Sequence, residues 1–128
     1  MILDTNALSA FVDGYPEVGA ILSLQHRAAI PVIVLGEFRY GMMGSRHRKL
    51  YEEWLAVHLH QFDVLATTLE FNETTVPYAS LRATLRRLDR PTPANDAWIA
   101  ALAMQHRLPI LSRDEHFDAL SEVRWISW

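Results

Sequence analysis

Apolar positions along this chain fall into short runs that alternate with longer stretches of helical spacing. Met1 to Leu3 is an apolar run ended by Asp4-Thr5-Asn6. Ala7 to Val12 reads as a helix, broken at Gly14-Tyr15-Pro16. Val18 to His26 is a second helical stretch, with Val18, Ile21, Leu22 and Leu24 at near-helical spacing. Ile30 to Leu35 is rich in β-branched residues and reads as a buried strand, after which Gly36-Glu37 begins a helix through Met43. A longer helix is expected from Arg46 to His60, with Leu50, Trp54, Val57 and His58 on one face, then a short strand from Phe62 to Leu65. Leu69 to Leu88 is the longest helical pattern and carries Tyr78, Leu81, Leu85 and Leu88 three or four apart. Asp89 to Pro93 is a proline-bearing turn, and Asn95 to His106 is an alanine-rich helix. Pro109 to Ser112 reads as a buried strand, Glu115 to Leu120 as a short helix and Val123 to Ile126 as a last strand.

Short strands alternating with helices predict an α/β fold: a central, mainly parallel sheet flanked by helices on both faces. No repeat, linker or low-complexity tract interrupts the pattern, so residues 1–128 are expected to form a single domain. The chain lacks cysteine, which excludes a disulfide scaffold, a thiolate zinc site and a cysteine nucleophile. No run approaches the ~18 consecutive apolar residues of a membrane helix. MILDTN has neither the basic nor the long apolar region of a signal peptide. A soluble, cytoplasmic protein with no membrane contact is the expectation. The formal net charge of −3 argues against binding nucleic acid through bulk electrostatics. Any polyanionic substrate must be held by metal and by local basic patches.

Four carboxylates change the picture. Asp4, Glu37 and Asp114 follow apolar runs that read as strands, and Asp96 opens a helix. Ligands of open parallel sheets bind beyond the carboxyl ends of the strands, so convergence of these four is plausible on geometry alone. Each also has a plain structural use. Asp4 can cap the first helix, although Thr5 and Asn6 can do the same. Glu37 and Asp96 suit the positive end of a helix dipole, with Asn95 or Thr92 as the cap of the second. Asp114 can cap the Glu115 helix or pair with Arg113. Four such charges brought together would repel by roughly 3–4 kcal/mol per close pair at an effective dielectric of 20. Such a cluster survives only if a cation sits in it or if protons do, and Mg²⁺ or Mn²⁺ is the natural cation for an all-oxygen pocket. Metal-assisted phosphodiester chemistry is therefore the first hypothesis. Ser112, pointing opposite to Arg113, is placed to hydrogen-bond a ligand carboxylate.

ILDTNALSAF, VIVLGEFRYGM and YASLRATLRRLDRPTPANDAWIAALAMQHRLPILSRDEHFDAL stand in an order that resembles the PIN-domain nucleases, most closely the VapC-type toxins of toxin–antitoxin pairs. The resemblance covers essentially the whole length. It implies an endoribonuclease dependent on Mg²⁺ or Mn²⁺, with an acidic quartet at Asp4, Glu37, Asp96 and Asp114. It also implies a homodimer, inhibited by an antitoxin of the VapB type that inserts a segment into the active-site groove. In the implied mechanism Asp4 and Asp96, helped by Asp114, hold the ion. Glu37 binds through water, holds a second ion or orients the nucleophile. One departure is Asp89, where the family often has glycine; aspartate tolerates the left-handed conformation such a turn needs.

Other features are weaker. Arg82, Arg86 and Arg90 recur every fourth residue and can grip RNA phosphates, meet an acidic antitoxin segment, or form a solvated face. Arg46, Arg48 and Lys49 carry the same readings. The six histidines are scattered singly and none is assigned to metal. Trp54, Trp98 and Phe38 read as core or helix packing. Two other functions compete. An aspartyl-phosphate phosphatase would want a second acid where Asn6 stands and a lysine after a later strand, yet Lys49 is the only lysine. A non-catalytic PIN-like binding module would have no use for four converging acids.

Overall fold

The computed structural model describes residues 1–67 and 73–128. Five strands form one sheet: β1 (Ile2–Leu3), β2 (Ala29–Pro31), β3 (Asp63–Leu65), β4 (Ile110–Leu111) and β5 (Trp125–Ile126). Their order is β3-β2-β1-β4-β5, and every neighbouring pair is parallel. Six α-helices connect them: α1 (Thr5–Val12), α2 (Pro16–Ser23), α3 (Val32–Met42), α4 (Arg48–His58), α5 (Thr75–Arg87) and α6 (Ala94–His106). A 3₁₀ turn, Glu115–Ala119, lies between β4 and β5.

The central strands β1, β2 and β4 are buried, whereas β3 and β5 at the sheet edges are partly exposed. Ile2, Leu3, Ala29, Ile30, Ile110 and Leu111 have no exposed surface. The chain grows outward from β1 to β2 and β3, then crosses back through α5 and α6 to β4. Right-handed crossovers in opposite lateral directions place α1 to α4 on one face and α5 and α6 on the other. The predicted α/β architecture is thus present. Ala97, Ala100, Ala101 and Ala103 are buried along α6, which packs against both α5 and α3.

The first difference from expectation lies at Ile30 to Leu35. Only Ala29–Pro31 is strand, and α3 already begins at Val32. Pro31 is extended at ψ 144° and stands as the N-cap; it lacks the N–H that a continuing strand would use. The β-branched residues that follow lose only a few tenths of a kcal/mol each in a helix. Val34, Leu35, Phe38 and Met42 repay that by burial at helical spacing.

On α4 the buried residue is Leu55, while Leu50 and Val57 are exposed, so the expected apolar face is displaced. Its inner side instead packs Trp54 edge-on to Phe11, their ring centres 5.9 Å apart. Trp98 stacks on Tyr78 at 3.8 Å, as a helix-packing residue should. Helix α5 begins at Thr75; residues 69–72 of the expected longer helix lie outside the described residues. Leu88 is exposed, and α5 ends at Arg87, so Arg90 falls beyond the helix. Asp89 has φ 50°, the left-handed conformation expected of that turn.

Candidate active site

The strand order reverses between β1 and β4. The chain leaves β1 toward β2 on one side, and β4 lies on the other. Helices diverge at such a point and leave a crevice at the carboxyl ends of the two strands. Asp4 follows β1 directly, and Ser112, Arg113 and Asp114 follow β4.

Asp4 is 5% exposed and stands at the N-cap of α1, where its Oδ1 accepts from the Thr5 amide at 2.6 Å. Its Oδ2 accepts from Ser112 Oγ and from Asn6 Nδ2, both at 2.8 Å. Capping and membership of the cluster are therefore compatible uses of one carboxylate. Ser112 has no exposed surface, and its Oγ also accepts from the Asp114 amide at 2.9 Å. Asn6 Oδ1 accepts from the Arg113 amide at 3.0 Å. Asn6 and Ser112 thus clamp the ends of β1 and β4 together.

Glu37 sits in the second turn of α3, not the first, so the helix dipole does not explain it. Its carboxylate accepts from Thr5 Oγ1 and from Asn95 Nδ2, each at 2.5 Å. Those donors are the neighbours in sequence of Asp4 and Asp96, and they aim Glu37 at the same crevice. Asp96 lies in the first turn of α6. The cap is Pro93, extended at ψ 146°, rather than Asn95 or Thr92. Asn95 is occupied by Glu37, and Thr92 is buried.

Asp114 caps the 3₁₀ turn by accepting from the His116 amide at 2.9 Å. It does not pair with Arg113. That guanidinium turns away, donating from Nε to the Trp128 carbonyl at 3.0 Å and stacking 3.6 Å above the Trp128 ring. His116 is the residue that sequence reasoning missed. Its Nδ1 lies 2.9 Å from Asp114 Oδ1 and 3.1 Å from Asp96 Oδ2. Its one weak signal is position: it stands two residues past an aspartate that caps a tight turn.

The electrostatics follow from this crowding. Burial pushes the Asp4 carboxyl above its ordinary range, and the charges of Glu37 and Asp114 add to the rise. Asp96 is raised to about 6, chiefly by burial, then by Asp4 and Asp114, against a smaller lowering by His116. Among the described residues no lysine or arginine pairs with any of the four acids. Lys49 pairs with Glu53 on α4, so the lysine a phosphatase would need is absent from the crevice. Ligand atoms of Asp96, Asp114 and His116 lie within 4.8 Å of one another. Uncompensated, desolvated carboxylates with one imidazole nitrogen fit a hard divalent cation such as Mg²⁺ or Mn²⁺. A cavity of about 630 Å³ opens beside this group, with Asp114 and His116 in its wall together with Asn6, Arg90, Thr92, Arg113 and Glu115.

Thr5, Asn6 and Ser112 lie within this hydrogen-bond network. Arg82 and Arg86 lie outside it, along an adjoining cavity. Arg82 braces the loop before α6 by donating to the Thr92 carbonyl at 2.8 Å.

Comparison with known proteins agrees with this architecture. Ribonuclease VapC5 of Mycobacterium tuberculosis is 29% identical over 93% of this chain and 86% of its own length. The structure of VapBC2 from Rickettsia felis, bound to a DNA fragment from their promoter, superposes with a TM-score of 0.84 at 22% identity, covering 99% of this chain and 97% of that one. VapBC-5 from Mycobacterium tuberculosis, a member of the VapBC family of toxin–antitoxin systems, gives a TM-score of 0.74 at 27% identity over 99% of this chain and 97% of that one. The PIN domain profile matches residues 1–123, and with the acids gathered at the reversal of strand order this chain belongs to the PIN-domain family.

Proposed function

We propose that this chain is a divalent-metal-dependent endoribonuclease, the toxin half of a toxin–antitoxin pair, and that Asp4, Glu37, Asp96 and Asp114 are its catalytic acids. The observation that carries the reading is the gathering of Asp96, Asp114 and His116 beside Asp4, with the Asp4 and Asp96 carboxyls raised and no lysine or arginine paired with them among the described residues. Such a site is costly to maintain empty and is relieved by a cation. Kinship with a protein named as a ribonuclease supports RNA as the substrate class.

Asp4, Asp96 and Asp114 would hold Mg²⁺ or Mn²⁺, with His116 Nδ1 within reach of the last two. A bound divalent ion supplies charge neutralisation at a phosphate and a water of lowered pKa. Ser112 and Asn6 fix the orientation of the Asp4 carboxylate. Thr5 and Asn95 hold Glu37 in one orientation, which suits a residue that must position a water or a second ion. Asp96, near pKa 6, is ionised at neutral pH and ready to bind.

The relatives solved as VapBC assemblies support a VapB-type antitoxin as partner. Exposed Tyr40 and Met43 at the end of α3, with Leu50 and Val57 on α4, offer apolar surface for a homodimer. A cytoplasmic location is in keeping with an RNA substrate. No described helix is long and apolar enough to cross a membrane.

The test uses purified protein and a cellular RNA pool with Mg²⁺ or Mn²⁺, with chelator, and as Asp4→Asn, followed by mapping of the cut ends. Discrete products are expected only from the metal-loaded wild type. Indistinguishable products from wild type and Asp4→Asn would refute the assignment. Metal-independent RNA binding without cleavage would make the chain a binding module instead.

A further inference from the structure

The cavity over the acids does not end there. A second cavity, of about 530 Å³, shares Arg90, Pro91 and Thr92 with it and continues between Arg82 and Arg86 of α5 and the turn at Asp89. The two form one groove. Asp114 lies in the wall of the inner end, with Asp96 and His116 beside it, and Arg82, Arg86 and Arg90 line the outer. Arg82 is committed to the Thr92 carbonyl and holds the groove wall. Arg86 and Arg90 are exposed and make no ion pair among the described residues. They place two guanidinium groups without a carboxylate partner beside the cavity that holds Asp114. Leu85, Ala83 and Pro91 add apolar lining between them.

We propose that this outer groove binds the RNA strand on one side of the cleavage point, Arg86 and Arg90 holding consecutive backbone phosphates while Arg82 keeps the wall in place. The inference rests on the ribonuclease reading, because that reading puts one phosphate of the strand at the acids and its neighbours in the adjoining groove. Guanidinium groups suit phosphate oxygens through paired N–H donors. The apolar lining suits sugars and base faces, not a second row of charge. An acidic protein segment is the poorer fit. Continuing inward from the arginines, it would meet Asp114 and Glu115 in the cavity wall and be repelled.

The test measures binding, not turnover. A fluorescent single-stranded RNA oligomer is titrated with the full chain in chelator over a range of salt. Wild type, the Arg86→Gln/Arg90→Gln double variant and Lys49→Gln are compared. On single strands each phosphate contact contributes about 0.7 to the slope of log K against log salt. Losing two contacts lowers the slope by about 1.4. If the lines meet at 1 M salt, affinity at 0.1 M falls about 25-fold. Lys49→Gln, on the exposed face of α4, is expected to keep the wild-type slope.

An unchanged slope in the double variant overturns the proposal. So does an equal loss in Lys49→Gln, which would mean diffuse attraction. If the double variant keeps RNA affinity but no longer binds a poly-glutamate peptide that wild type binds, the groove belongs to an acidic partner and the proposal is wrong. Failure of the nuclease reading looks different: wild type would cut no RNA with metal, whatever the arginines do to binding.

Discussion

Replacing Asp96 by asparagine tests whether the acidic centre is under electrostatic strain. In the folded protein Asp96 titrates near 6 instead of its ordinary 3.8. A raised acid holds its proton more tightly in the folded state than in the unfolded one. Folding stability is therefore undiminished below pH 4 and falls as pH rises from about 4 through 6. The shift of about 2 pKa units corresponds to at most ~3 kcal/mol at neutral pH. The open groove screens part of this, leaving roughly 1–2 kcal/mol. In chelator at pH 7.5, Asp96→Asn should melt about 4–8 °C above wild type, for a domain of this size. The advantage should vanish near pH 4. Added Mg²⁺ or Mn²⁺ should reverse the order, because only wild type gains by binding, by about 2.7 kcal/mol at a hundred times Kd. Metal affinity in wild type should itself fall about tenfold between pH 7 and pH 5, since Asp96 must shed its proton first. Thermal unfolding with and without chelator, and calorimetric titration with metal at both pH values, read these effects. If Asp96→Asn is less stable than wild type in chelator at pH 7.5, attraction to His116 outweighs the repulsion and the argument fails.

Three further outcomes follow from particular contacts. Ser112→Ala removes the hydroxyl that joins Asp4 to the Asp114 amide. It should cost about 1–3 kcal/mol by denaturant titration and weaken metal binding roughly 10–100-fold; retention of wild-type metal affinity would deny Ser112 its positioning role. Trp128→Ala frees Arg113 from its stacking partner. The loosened guanidinium should turn toward Asp114 and lower metal affinity several-fold, and adding Arg113→Gln should restore it; no restoration would mean the loss is merely structural. Asp89→Gly relieves a left-handed residue, φ 50°. It should add about 0.5–1 kcal/mol, or ~2–4 °C in melting temperature, with RNA cleavage products unchanged; a lower melting temperature would show that the Asp89 side chain stabilises the turn.

Much of the site was legible before any coordinates because some constraints are local. Alternation of short apolar runs with helical stretches sets an α/β fold. Asp4 and Asp114 stand at strand ends by their place in the sequence. The left-handed turn at Asp89 follows from the few residues around it. The run from Ile30 to Leu35 misled because β-branched residues favour strands only weakly. Burial of Val34, Leu35, Phe38 and Met42 on a helix outweighed that preference. Its consequence was functional: starting α3 at Val32 puts Glu37 in the second turn, facing Thr5 and Asn95.

What the sequence by itself determined, then, is the kind of fold and which carboxylates stand at its edges. Only the tertiary structure decided that β1 and β4 are neighbours, so that Asn6 and Ser112, 106 positions apart, clamp the crevice. Only there does His116 reach both Asp96 and Asp114, and only there does Trp128 draw Arg113 away from the acids. Periodicity along a chain records which face of an element is buried. It carries no record of which element lies alongside, because strand order is settled by crossover handedness and by the packing of the whole core.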